Sequence, residues 1–259
     1  MNRILKYTLL GLCGALIAAC IICAFIAGRK DREQILCRKV VITIKDSTDN
    51  RLVSSRQIRA DLLREYGNVI GTPVDDIDLG RIEEIIDNRN AVLKSQAYTT
   101  KDSTLNIEIS QRRPVVRFQK GNVGFYADEN GYIFPLQPAF ASHVQIVDGN
   151  IPINFQKGQK GKLTDPDEIE WLNKTIRMVN FIEADKEWKR IIVQIHVNED
   201  EDIILIPREG QEKFLIGKPD EIEGKFERIE RYYKAIVPHA GRQTYTSVDL
   251  RYRNQIICK

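Results

Sequence analysis

The chain has 259 residues, enough for one large domain or two small ones with a buried core. Its 39 basic and 36 acidic residues leave a formal net charge of +3 spread along the chain, and the aromatics are scattered, which excludes a basic, base-stacking nucleic-acid surface. Hydrophobic residues make up 42% and charged residues 29%, ordinary values, but one apolar block stands at the N-terminus.

That block runs from Tyr7 to Ala27 without a charge and holds Leu9, Leu10, Leu12, Leu16, Ile17, Ile21, Ile22, Phe25 and Ile26. About 20 residues at about 1.5 Å per residue make a helix of about 30 Å, the thickness of a bilayer's hydrocarbon core. A single membrane span over 7–27 is therefore expected, between a tail (1–6) and a linker (28–36). The stretch is longer than the roughly 7–15 apolar residues of a cleaved signal peptide. Ile17, Ala18, Ala19 and Cys20 also resemble a lipobox, which keeps lipidation of Cys20 open; against it, Ile21 to Ala27 stay apolar after the cysteine. Arg3 and Lys6 on one side nearly balance Arg29, Lys30 and Arg32 on the other. The large downstream part decides the orientation: N-terminus cytoplasmic, bulk exported to the periplasm. Of the five cysteines, Cys13, Cys20 and Cys23 fall in the span, and Cys37 and Cys258 either pair or stay free.

Beyond the linker, Val40, Ile42 and Ile44 alternate as a half-buried strand. Ser54 with Gln57 forms a capping box for a helix carrying Ile58, Leu62, Leu63 and Tyr66, stopped by Gly67. Leu79, Ile82, Ile85 and Ile86 make a second, short helical stripe behind Asp75, Asp76 and Asp78, whose carboxylates suit its positive end. Val92 to Thr99 is a strand, Lys101 to Ser103 a turn, and Leu105, Ile107 and Ile109 alternate in another strand. The order β-α-α-β-β predicts a three-stranded sheet with two covering helices over 37–112.

A second module, 113–259, begins near Arg113. Phe125 to Phe134 reads as a hairpin turning at Asp128, Glu129, Asn130 and Gly131. Asp165 as cap, Pro166 and Glu168 start a helix with Ile169, Leu172, Ile176, Val179 and Ile182 on one side. Ile191 to Val197, Ile203 to Ile206 and Phe214 to Lys218 form a meander; Ile222, Phe226, Ile229, Tyr233 and Ile236 mark a helix over 220–237, ended by Pro238. Val248, Leu250 and Tyr252 alternate toward a terminal hairpin closed by Ile256, Ile257 and Cys258.

The β-α-α-β-β order behind one span resembles a POTRA domain. The run from Thr104 to Val115, with Gln111 where an acidic residue is usual before the arginine, is similar to the segment that ends that domain in the FtsQ/DivIB division proteins. The hairpin at Asp128–Gly131 and the segment Ser247 to Tyr252 resemble the same family, as does, more loosely, Ile216, Gly217 and Lys218 with Lys225. The resemblance covers nearly the whole chain. It implies an α+β protein: a single N-terminal transmembrane helix, the POTRA domain, and a C-terminal β domain with an antiparallel sheet and packed helices. It further implies a non-enzymatic inner-membrane scaffold at the division septum. That scaffold would bind FtsB, paired with FtsL, through a strand added beside the last strand, and act indirectly on the septal peptidoglycan synthase FtsW/FtsI. The POTRA module would meet other division proteins or the insertion machinery.

The residues contain no catalytic, cofactor or metal candidate. Glu199 to Asp202 lack the spacing and glycine of a calcium loop and read as a solvated turn. The histidines, His143, His196 and His239, have no carboxylate or cysteine cluster beside them in sequence, and Ser54 and Ser55 are cap residues. The distinctive feature is the end of the chain, where no charge, proline or bulge blunts a final strand. Arg251, Tyr252, Asn254, Gln255, Ile256, Ile257 and Cys258 are the expected strand-addition site, with backbone giving affinity and Arg251, Tyr252 and Ile256 specificity. Two other classes remain: a membrane-anchored or lipidated periplasmic ligand-binding protein with a cleft on the sheet, and a POTRA adaptor for envelope assembly.

Overall fold

A computed structural model describes residues 16–23, 35–45, 51–138, 140–240 and 244–259. The expected span over 7–27 lies largely outside them; within it, 16–23 are helical and exposed. No helix among the described residues is long and apolar enough to cross a membrane.

The first module has the predicted order. Strand β1 (Lys39–Lys45), helix α1 (Ser55–Glu65), a 3-10 turn at Val74–Asp76, helix α2 (Leu79–Asp87), β2 (Val92–Thr99) and β3 (Thr104–Gln111) follow one another, and the sheet order is β1-β3-β2. Ile58 and Leu62 of α1 and Ile82, Ile85 and Ile86 of α2 are buried. Leu63, expected on the apolar stripe, is 61% exposed, because one helical step from Leu62 carries it off the buried face. Asp78 Oδ1 accepts from the Arg81 amide, so the acidic lead-in does serve the helix start.

The second module is one ten-stranded mixed sheet, not the antiparallel sheet expected. Its strands are β4 (Pro114–Lys120), β5 (Val123–Asp128), β6 (Tyr132–Pro135), β7 (Gln145–Gly149), β8 (Gly161–Lys162), β9 (Ile192–Val197), β10 (Ile203–Pro207), β11 (Lys213–Gly217), β12 (Ser247–Asp249) and β13 (Ile257–Cys258). They lie in the order β13-β12-β11-β10-β9-β7-β4-β5-β6-β8. The meander β9-β10-β11 is antiparallel as predicted. The departure comes from β7, which returns from the far side of a long connection and inserts between β4 and β9, parallel to both, and from β12, parallel to β11.

Helices α3 (Pro166–Ala184), α4 (Lys186–Ile191) and α5 (Ile222–Arg231) pack on this sheet, and a π turn (Tyr232–Ile236) leads from α5 into α6 (Val237–Ala240). Asp165 caps α3 as read, its Oδ1 accepting from the Asp167 and Glu168 amides at 2.9 and 3.1 Å. The stripe of α3 is shifted from the expected one: Trp171, Leu172, Ile176, Met178, Val179 and Ile182 are buried, and Ile169 is exposed. Pro238 does not end the last helix but sits within α6, which continues directly from the π turn. One apolar core gathers Val116, Phe118, Phe125, Val147, Ile195, Leu205, Phe214 and Val248 under Leu172, Val179, Phe226 and Ile229.

Packing divides the chain into two units. Of the described residues, one holds Ser55–Ile86 and Ser95–Glu108 with those up to Thr43, and the other holds those of Ile44–Ser54, Asp87–Lys94 and Ile109–Lys259.

Candidate functional site

β13 ends the strand order of the large sheet, so among the described residues only β12 flanks it. The pairing is antiparallel, with Val248 opposite Cys258 and Asp249 opposite Ile257. Ser247 and Lys259 exchange both backbone bonds: the Lys259 amide donates to Ser247 at 2.9 Å and the Ser247 amide to Lys259 at 3.1 Å. Antiparallel ladders alternate, so Ile257 also faces β12, whereas the N–H and C=O groups of Cys258 and of Ile256 point away from it. The side chains divide by the same alternation. Ile256 and Cys258 pack on the core side, and Ile257 lies on the other face beside Asp249.

The expected contact residues do not all lie on that strand. β12 stops at Asp249; the Leu250 amide still donates to the Leu215 carbonyl of β11 at 2.8 Å, and beyond it the chain turns. Arg251, Tyr252, Asn254 and Gln255 therefore form the turn between β12 and β13, and Tyr252 stands out with 52% of its surface exposed.

The turn is clamped from several sides. Buried Arg228 of α5 donates to the Leu250 carbonyl at 2.9 Å and the Arg253 carbonyl at 3.1 Å, and Arg253 pairs with Glu221. Arg251 is held by Asp249, at 2.7 Å from Nη2 to Oδ2, and by Asp202, at 3.0 Å from Nη1 to Oδ2. To reach Asp202 its stem crosses Gly217, which has a φ of +74° and where a Cβ would sit 3.0 Å from Arg251 Cγ. Gly217 is required on both counts. Lys225 closes the same corner, donating to the Lys218 carbonyl and Asp220, both at 2.7 Å. The separate motifs Ile216-Gly217-Lys218, Lys225 and Ser247 to Tyr252 thus form one assembly that fixes the turn.

The electrostatics follow the contacts. Burial pushes the Asp249 carboxyl upward, but hydrogen bonds and charge from Arg251 outweigh it and hold the group below the ordinary range. Hydrogen bonding to Asp249, with Asp202 adding its charge, raises Arg251 above its usual value. Burial raises the Cys258 thiol, which keeps it protonated and poorly nucleophilic.

A second cluster explains the other quoted motif. Arg112 pairs with Asp128 at 2.9 Å, both side chains largely buried, and its guanidinium lies 3.3 Å from the centre of the Tyr132 ring. Asp128 Oδ1 also accepts from the amides of Asn130 and Tyr132, and Gly131 supplies the positive φ, +69°, that the turn needs. Gln111 is buried and accepts from the Val53 amide at 2.9 Å, so an amide side chain fills the acidic position with a structural bond.

Elsewhere, Cys37 and Cys258 are free thiols. His196 is not isolated from carboxylates: register on β7 and β9 places Asp148 beside it, 2.7 Å from Nδ1, with Gln194 on the second oxygen. The acidic run forms the β9–β10 turn, in which Glu201 takes a φ of +60° and Asp202 receives Arg251. Among the described residues no three metal-ligating side chains converge. A cleft of about 470 Å³ opens on the helical side between Trp188, Ile191, Tyr233 and Val237, rimmed by Arg190, Arg208 and Glu230. Sequence reading missed Arg228, Glu212 and Tyr232; the helical spacing marked α5 but not which polar residue on it turns inward.

Comparison with known proteins agrees with the geometry. Residues 113–259 match the family model described as FtsQ/DivIB, C-terminal related, and residues 35–110 match a POTRA-like domain model. No curated protein matches the chain.

Proposed function

We propose, for a chain that belongs to the FtsQ/DivIB family of membrane-anchored, non-enzymatic cell-division proteins, that it works as a scaffold which holds partner proteins by strand addition at β13. The partners in this reading are an FtsB-like chain and, through it, an FtsL-like chain at the periplasmic face of the inner membrane, and the consequence is indirect control of FtsW/FtsI at the septum. The protein carries out no bond chemistry.

The observation that supports it is the outward row at the edge: the N–H and C=O of Ile256 and Cys258 point away from β12. A partner strand needs those donors and acceptors. The clamped turn beside them, with Arg251 and Tyr252, offers side-chain contacts at a fixed position.

Ile256→Pro tests this with little collateral damage, since the amide it removes faces away from β12. Capture from membranes should recover FtsB-like and FtsL-like proteins with the wild type, and at least tenfold less with the variant. Equal recovery with both chains would remove the edge from the account, and no recovery with the wild type would remove the partners.

A further inference from the structure

The cleft on the helical side of the large sheet is walled by three departures from regular backbone. Helix α3 breaks at Asp185, and the short α4 starts there and ends at Ile191. The ladder between β9 and β10 slips by one residue between Ile206 and Pro207, after which the Arg208 amide donates to the Ile191 carbonyl at 2.7 Å. The π turn closes with a bond from the Val237 amide to the Tyr232 carbonyl, five residues back; Tyr232 is buried, and Tyr233 and Val237 stand half-buried on the cleft wall. Bulges and π turns concentrate at functional sites, where they re-aim side chains.

The floor is aromatic and aliphatic. Trp188 meets buried Phe226 edge-on with 4.9 Å between centroids, and Tyr233 meets buried Phe214 at 5.7 Å, so two groups of rings that begin in the core reach the surface here. Trp188, Ile191, Tyr233 and Val237 all pack on the core and remain partly exposed. The volume of about 470 Å³ falls within the roughly 300–1,000 Å³ of ligand sites.

The charges of the rim are matched, with one exception. Arg190 pairs with Glu187 at 2.7 Å, Lys234 pairs with Glu230, and Glu209 is engaged too. Asp185 accepts from the Glu187 and Trp188 amides at 2.8 and 3.0 Å. Arg208 donates through Nε to the Arg190 carbonyl at 3.2 Å, a bond that orients its fork, and its two terminal amines meet no acceptor among the described residues.

We propose that this cleft docks a segment of a partner protein in which a bulky apolar side chain stands next to an aspartate or glutamate. The apolar side chain enters between Trp188 and Tyr233, and the carboxylate takes both terminal amines of Arg208. A planar carboxylate matches that fork with two parallel bonds, which an amide cannot do. An apolar anchor pocket inside a rim of paired charges is also the layout in which single side chains carry most of the energy of an interface. This goes beyond the strand-addition reading and does not rest on it.

The test is isothermal titration calorimetry on the full chain in lipid nanodiscs, with empty nanodiscs as the blank and acetyl-Gly-Phe-Glu-Gly-amide as the probe. The probe should bind saturably. Replacing its Glu by Gln should weaken binding about tenfold, as loss of charge-assisted bonds requires, and replacing its Phe by Ala should weaken it about as much. Arg208 is exposed, so Arg208→Gln should melt with the wild type, and it should bind the Glu and Gln probes equally, as a coupled pair demands. Ile256→Pro should leave binding unchanged. No saturable heat, equal affinity of the wild type for the Glu and Gln probes, tighter binding of a Phe-Lys probe, or a Glu preference that survives Arg208→Gln would each overturn the proposal. Loss of binding in Ile256→Pro would place the probe on the strand edge and overturn it as well.

Discussion

At the scale of single residues, two carboxylates paired with arginines, Asp128 and Asp249, behave differently. The Arg112–Asp128 pair is nearly enclosed, and Asp128 keeps two backbone amides besides Arg112. Breaking a buried pair from one side costs about 3–5 kcal/mol, and the remaining amides put Arg112→Ala near the lower end. A fall in melting temperature of roughly 6–12 °C is expected for a domain of this size; a fall of a degree or less would show the pair to be dispensable. Asp249 is more exposed to solvent control. Its folded-state carboxyl sits below the usual range, so its contribution is complete above about pH 4, its unfolded value, and is lost as pH falls through the folded value. Asp249→Asn should therefore lower stability at pH 7 and converge with the wild type in strong acid, and parallel stability curves across that range would contradict this.

At the scale of elements, periodicity found what local pattern controls and missed what long connections control. The capped helix at Asp165, the hairpin at Gly131 and the β9-β10-β11 meander are written in nearby residues. The insertion of β7 between β4 and β9 is not, because its five residues include Asp148 and Gly149 and its partners are distant in sequence. The terminal hairpin was half legible. Val248 and Leu250 are buried as alternation demands, but Tyr252 continues the pattern on paper while the chain has already turned under the hold of Arg228. Gly217 shows how a motif becomes intelligible only in three dimensions, since its bareness serves Arg251, 34 positions away in sequence. Gly217→Ala combines left-handed strain with a displaced Arg251 stem and should cost about 1–2 kcal/mol. In an Arg251→Ala background the same change should cost less, as coupled sites require; strictly additive losses would mean that the close approach is without consequence.

At the scale of the whole molecule, the two family matches, 35–110 and 113–259, divide the described chain between a POTRA-like domain and a large mixed sheet with an open end. Every device around the terminal hairpin holds the turn in place: Arg228 from the helix, Arg253 on Glu221, Arg251 on Asp202 and Asp249. None of them covers the outward backbone of β13. A strand that is fixed in position and open on one side is preorganised for another chain, since the ordering cost is met before the partner arrives. Residue-resolved hydrogen exchange, on the free protein and on the complex isolated from membranes, tests this most directly. The Ile256 and Cys258 amides should exchange near the rate of an unstructured chain when the protein is free, faster than those of Ile257 and Lys259, and slow by about a hundredfold in the complex. Slow exchange at Ile256 and Cys258 in the free protein, or unchanged fast exchange in the complex, would contradict the account.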